Sequence, residues 1–183
     1  MGLARELLSE AKVVDTAIYG AVAAAETPQL DRGMRALSRA ADHGKLWLGA
    51  AGVLALCGGH RGRAAARRGL VSLGAASAVA NLVGKPLTTR RRPVREELAE
   101  LTARHVPMPQ TSSFPSGHTA SAYAFATGAG AAWPAVSAPL RALATVVGYS
   151  RVHTGVHYPA DVVAGAFLGV SAAELAGRLL DRA

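Results

Sequence analysis

The stretch SRVHTGVHYPADVVAGAFLGVSAAELAGR, residues 150–178, joins a charged cluster directly to an apolar segment of helical length. In its second half Gly165, Gly169, Ala173 and Gly177 recur every fourth residue. That spacing puts them on one helix face. In lipid no hydrophobic drive pulls helices together, and such a face of small residues lets two backbones approach closely. An alanine-rich soluble bundle carries the same pattern, so the stripe is read together with the rest of the chain.

Four further apolar segments stand at roughly 46–60, 69–84, 117–133 and 137–150. A second small stripe, Ala120, Ala124, Gly128 and Ala132, runs through 117–133, and Trp47 and Trp133 sit at segment ends, as interface anchors do. No run reaches the ~20 clean apolar residues of an ideal spanning helix, and mean hydropathy is only slightly positive. The membrane reading therefore rests on organisation. Arg141 interrupts the fourth segment and marks its start. Residues 3–25 look helical but carry several charges, and Thr27-Pro28 reads as a cap and first position of a helix. Over 29–42, Leu30, Met34, Leu37 and Ala41 recur at helical spacing with Arg32, Arg35 and Arg39 on other faces. This is an amphipathic helix on a membrane surface, or the surface helix of a soluble protein. The stretch 60–68, HRGRAAARR, reads as a short basic loop. The fold expected is an all-α integral-membrane bundle: one domain over 1–183, about five spanning helices in a core over 46–183, and interfacial helices over 1–45.

The 183 residues suit one domain, and the net charge of +8 implies an anionic partner: nucleic acid, anionic lipid or a phosphorylated substrate. A single cysteine, Cys57, excludes a disulfide within the chain. Arg5, Glu6, Glu10 and Lys12 break up any early signal-peptide core.

Three polar clusters remain. Lys85 to Arg92-Pro93 follows the second apolar segment, Pro115-Ser116-Gly117-His118 precedes the third, and Ser150-Arg151 through His157 to Asp161 joins the fourth to the fifth. If each segment crosses the bilayer, connectivity alone puts all three clusters on one side. Their chemistry converges as well. Lys85, Arg92 and Arg151 supply positive charge, and the arginine fork matches phosphate oxygens. Ser116-Gly117 opens a helix whose free N–H groups favour an anion. Asp161, four residues after His157, can hold one imidazole nitrogen and leave the other free to attack. His118 stands beside the anion site, suited to protonating a departing oxygen. Singly, each has a plainer reading: a snorkelling cation, a helix cap, a capped helix start.

Together the clusters resemble the three-part signature of the type 2 phosphatidic acid phosphatases, the lipid branch of a superfamily that includes bacterial class A acid phosphatases and vanadium haloperoxidases. Every signature position is matched, across 85–161. The resemblance implies that His157 is the nucleophile forming a phospho-histidine, that Asp161 orients it, and that His118 is the general acid. It further implies that Lys85, Arg92, Arg151, Ser116 and the Gly117 backbone hold the phosphoryl oxygens, with no metal and no cofactor. His153 matches no signature position and reads as structural; His43, His60 and His105 have no role in it. Arg90 and Arg91 read as membrane-surface charge, or as contacts to a pyrophosphate or headgroup.

Membrane members of this family usually have six spanning helices, and here 3–25 is too charged for a first one. With five spans and 60–68 cytoplasmic by the positive-inside rule, the site faces outward, although Arg90, Arg91, Arg95 and Arg104 lie on the site's own side. The expected activity is hydrolysis of a lipid phosphate or pyrophosphate: polyprenyl pyrophosphate, phosphatidylglycerophosphate, phosphatidate or a polyprenyl-phosphosugar. The expected partners are that substrate and membrane lipid. The mixed segment 94–114, with Val94, Leu98, Leu101, Met108 and Phe114, is the expected place of substrate selection. Alternatives are a soluble acid phosphatase or vanadium haloperoxidase, and a non-enzymatic anionic-lipid binder. Nucleic acid is excluded as a partner, because the arginines lack aromatic stacking companions.

Overall fold

The computed structural model describes residues 2–94 and 104–182. Arg95, Leu98 and Leu101, part of the proposed selection segment, lie outside the described residues. Among the described residues the chain is all-helical, with no strand. The helices are α1 (Gly2–Ala24), α2 (Pro28–Ala40), α3 (Lys45–Cys57), α4 (Gly59–Ala78), α5 (Gly117–Ala132), α6 (Ser137–His153) and α7 (Pro159–Leu180). A π-helical turn, Val79–Gly84, extends α4. Helix α5 is the centre, packed against α4, α6 and α7; α3 lies on α4, and α1 and α2 lie on α6.

The small-residue stripes explain why α5 can be surrounded. A Cβ added at Gly169 of α7 would stand 2.3 Å from the Ala120 carbonyl oxygen of α5, and one at Gly128 of α5 would stand 2.3 Å from Ser72 Oγ of α4. The interior is correspondingly fine-grained: Ala65, Ala120, Ala122, Ala124, Ala126, Ala129 and Ala144 are fully buried. Apart from a few such as Trp47 and Phe125, the large apolar side chains point the other way. Leu48, Val53, Leu56, Leu82, Phe167, Leu175 and Leu179 are all exposed. Small residues inside and large ones outside invert the soluble pattern and fit helices that meet lipid.

Several expectations change here. The basic stretch 60–68 is no loop but the first turns of α4. Alanine and arginine are good helix formers, and the chain reverses instead at Gly58-Gly59, where Gly59 has φ +58. Trp47 is no interface anchor: it is 1% exposed and packs on Phe125 with ring centroids 5.3 Å apart. Pro28 does open α2, but Thr27 gives its hydroxyl to Asp31 Oδ1 at 3.0 Å rather than capping the helix. The buried side of α2 is polar, carrying Asp31 and Ser38 into the protein.

Only α7, among the described helices, has both the length and the apolarity of a bilayer crossing. Helices α3, α5 and α6 have 13, 16 and 17 residues. At 1.5 Å per residue they span about 20–26 Å, less than a hydrocarbon core of ~30 Å. The all-helical architecture is as expected; the number of crossings does not follow from helix lengths.

The close contact of α5 and α7 gives a direct test. Gly169→Ala should destabilise the protein by about 2–3 kcal/mol, as overpacking does, read by thermal unfolding in detergent. Gly74→Ala, where an added Cβ meets nothing within 4 Å, should be neutral or slightly stabilising. Equal effects from the two would refute the packing argument.

Candidate active site

Each polar cluster sits where a helix begins or ends. Ser116 is the N-cap of α5, its Oγ accepting the Thr119 N–H at 3.4 Å. The α6–α7 connection turns at Gly155, whose φ of +68 suits glycine. It is drawn inward by the Arg151 carbonyl, which accepts N–H groups from Val156 (3.1 Å) and His157 (3.2 Å). At the start of α7, Asp161 Oδ2 accepts the Tyr158 N–H at 2.9 Å, so this carboxylate caps the helix while it serves the site. The plain reading of Asp161, a capped helix start, is what this contact shows.

These elements enclose a cavity of about 670 Å³. Lys85, Arg92, Gly117, His118, Arg151 and His157 line it, together with Asp42, Asn81, Ser121 and Met108. Of the residues expected in the site, Ser116 and Asp161 stand behind the wall. Ser116 is fully buried, with its Oγ 2.9 Å from Thr119 Oγ1. Asp161 is also fully buried; Ser113 Oγ donates to its Oδ2 at 2.5 Å and Arg90 Nη1 to its Oδ1 at 2.7 Å.

The histidines differ in setting. His157 turns Nδ1 toward Asp161 Oδ2 at 3.6 Å and Nε2 toward Arg92 Nη1 at 3.3 Å. Burial, opposed by Asp161 and reinforced by the Arg92 and Arg151 cations, pushes its pKa down to about 4. A neutral imidazole with one nitrogen on the cavity side is a nucleophile in its working form. His118 Nε2 lies 2.8 Å from Asp42 Oδ1. That hydrogen bond holds the Asp42 carboxyl below its usual range.

The cations are each fixed. Arg92 donates to the carbonyls of Val156 (2.8 Å), Thr111 (3.0 Å) and Ser112 (3.1 Å). Arg151, 2% exposed, donates to Ser38 Oγ. Lys85 Nζ donates to Asn81 Oδ1 at 2.7 Å, and burial together with Arg92 lowers its pKa. Among the described residues no three His, Cys, Asp or Glu side chains gather closely enough to hold a metal ion. The converging groups are donors, suited to an anion with several oxygens.

Sequence reasoning missed the N-terminal contribution. Asp15 of α1 pairs with Arg90 and accepts the Ala160 N–H at 2.8 Å. Asp31 of α2 meets His153 Nε2 at 2.7 Å and Arg104 at 3.2 Å. Arg104 in turn donates to the carbonyls of Val22 and Ala23 at the end of α1 and of Ala25 just beyond it. Arg90 is thus no surface charge, and it also lies over the Tyr158 ring at 4.6 Å. His153 is buried with its Nε2 against Asp31. Only Asn81, four residues before Lys85 on one helix face, left a readable signal. Arg91 instead lines an adjoining recess of about 390 Å³ with Thr89, Gln110 and Thr111, sharing Lys85 and Arg92 with the main cavity.

A family model described as the PAP2 superfamily matches residues 66–182. The decaprenylphosphoryl-5-phosphoribose phosphatase of Mycolicibacterium smegmatis is 36% identical over 169 residues, covering 86% of this chain and 84% of that one. Its namesake from Mycobacterium tuberculosis H37Rv is 35% identical over 144 residues, with 75% and 73% covered. The fold is that of a transmembrane PAP2-type phosphatidylglycerolphosphate phosphatase from Bacillus subtilis (TM-score 0.70, 22% identity, 94% of this chain and 87% of that one). It is likewise that of LpxE from Aquifex aeolicus (TM-score 0.69, 21% identity, 89% and 94%). On the matched span and this identity, the chain belongs to the PAP2 superfamily.

Proposed function

We propose that this protein is a metal-independent membrane phosphatase that removes a phosphate monoester from the headgroup of a polyprenyl-linked phosphosugar. The observation that carries the reaction is the placing of His157: neutral, backed by Asp161, and facing a cavity lined by Lys85, Arg92, Arg151 and His118. The cations take the three peripheral phosphoryl oxygens. His157 Nε2 attacks phosphorus, the bond to the departing alkoxide breaks, and His118 gives that oxygen its proton. Water then attacks the phospho-histidine, and His118 takes a proton from it. The identity and coverage of the mycobacterial relatives favour a decaprenylphosphoryl-5-phosphoribose-like substrate over the other lipid phosphates. The Arg91 recess gives the rest of such a headgroup room and charge.

The exposed apolar faces of α3, α4 and α7 support a membrane setting with about five crossings. The site then faces outward. On its side, Arg90, Arg92, Arg104 and Arg151 are engaged by internal partners, and Arg91 is exposed. At the opposite end, Arg61, Arg63, Arg67 and Arg141 are exposed, and cytoplasmic ends collect such charge.

Purified protein in detergent should release phosphate from a polyprenylphosphoryl-5-phosphoribose in the presence of EDTA, faster than from phosphatidate, phosphatidylglycerophosphate or polyprenyl pyrophosphate. Loss of activity on chelation would contradict the mechanism, and a different ranking would replace the substrate. His157→Ala should lower turnover at least about a thousandfold and remove the acid-labile phospho-enzyme. Asp161→Asn should lower it by on the order of 10²–10⁴-fold with little change in KM.

The protonation state of His157 is testable without turnover. Its imidazole should stay neutral at pH 5.5 and charge only near pH 4, read from ¹⁵N-histidine spectra assigned with His157→Gln. The sign follows: the folded protein resists this protonation and the unfolded chain, titrating near 6.5, does not. Stability therefore falls as pH drops from about 6.5 toward 4. A resonance titrating near 6.5 would rule the assignment out.

A further inference from the structure

The general acid needs a proton that its surroundings discourage. His118 stands at the start of α5 beside two cations, Arg151 from α6 and Lys85 after the π-helical turn, and it is only 24% exposed. Helix dipole, burial and cations all favour the neutral ring. One group opposes them. Asp42, in the turn Asp42–Gly44 between α2 and α3, places Oδ1 2.8 Å from His118 Nε2 and 3.9 Å from Arg151 Nη1. The remaining charged or titratable groups facing this corner are His43 beside Asp42, Arg92 and His157 across the cavity, and Asp161, buried behind His157.

We propose that Asp42 is a positioning residue that raises the proton affinity of His118 and orients it for the leaving-group step. Asp42 lies outside the signature span 85–161 and outside the family-matched residues 66–182. The inference rests on the phosphatase reading. In the imidazolium one N–H goes to the Asp42 carboxylate, and the other remains for the departing oxygen. When the P–O bond breaks and the P–N bond to His157 forms, that proton leaves His118, the ring becomes neutral, and Asp42 stays ionised. Asp42 is itself held in place, because its turn follows directly from α2, which Ser38 ties to Arg151 and Asp31 ties to His153.

A group that acts by favouring the charged form of the acid matters most when the leaving oxygen is basic. Asp42→Asn, which keeps the shape and a hydrogen bond, should lower turnover of a primary alkyl phosphate lipid about 10–100-fold. Burst-phase release of phenol from an aryl phosphate, whose oxygen leaves without a proton, should change by no more than about threefold. The basic limb of the alkyl pH profile should move down by about one pH unit, and Asp42→Glu should restore part of the loss. In ¹⁵N-histidine spectra the protonation midpoint of His118 should fall in Asp42→Asn. That reading needs no turnover, so it decides the role of Asp42 even if wild-type protein hydrolyses neither substrate, which would sink the phosphatase reading alone. Equal losses on both substrates, an unmoved His118 midpoint, or a gain in activity with tighter vanadate inhibition would overturn the proposal. The last result would make Asp42 a competitor for the phosphate cradle.

Discussion

A fully buried carboxylate must be compensated or it cannot remain charged, and Asp161 is compensated from every cluster that forms the site. Arg90 reaches it from the segment after α4, and Ser113 from the loop before α5. The Tyr158 N–H and His157 reach it from the α6–α7 turn. Its own backbone carbonyl accepts the Ser116 N–H at 2.9 Å, fixing the start of α5 against the start of α7. Three parts of the chain far apart in sequence are thus pinned to one residue. His157, the start of α5 and the cationic segment after α4 take their places around it.

The second requirement is that α5 and α7 approach closely enough for those two starts to meet. Gly165 provides it at the site itself, where an added Cβ would stand 2.5 Å from the Ser116 carbonyl oxygen, and Gly169 continues the contact one turn further along. Packing and chemistry are therefore one constraint: a side chain on this stripe would part the helices and move Ser116 away from Asp161.

The N-terminal helices complete the charge balance. Asp15, Asp31 and Asp42 each answer a buried or half-buried cation or imidazole: Arg90, then Arg104 with His153, then His118. A surface pair contributes little, but inside the protein an unanswered charge is expensive. This explains why α1 and α2 are docked on α6 although their outer faces are charged. It also explains why Arg90 and Arg104, on the site's side, are paired within the protein.

The sequence alone determined the all-helical class and the bounds of four core helices to within a few residues, and through a family resemblance it pointed to eight candidate site residues. Each of these is encoded locally, in helical periodicity, in small residues four apart, and in polar groups placed at segment ends. The expectation of a loop at 60–68 failed because charge was read as a break, although arginine and alanine propagate a helix. The reading of Trp47 failed because position in a segment does not say which face a residue turns inward. Only the tertiary structure decided that Ser116 and Asp161 stand behind the cavity wall, that Arg90 is a clamp, and that Asp42 meets His118. Those contacts join residues 71 and 76 positions apart, in the last two cases. No local rule of spacing carries them, since they exist only once burial forces each charge to find an opposite.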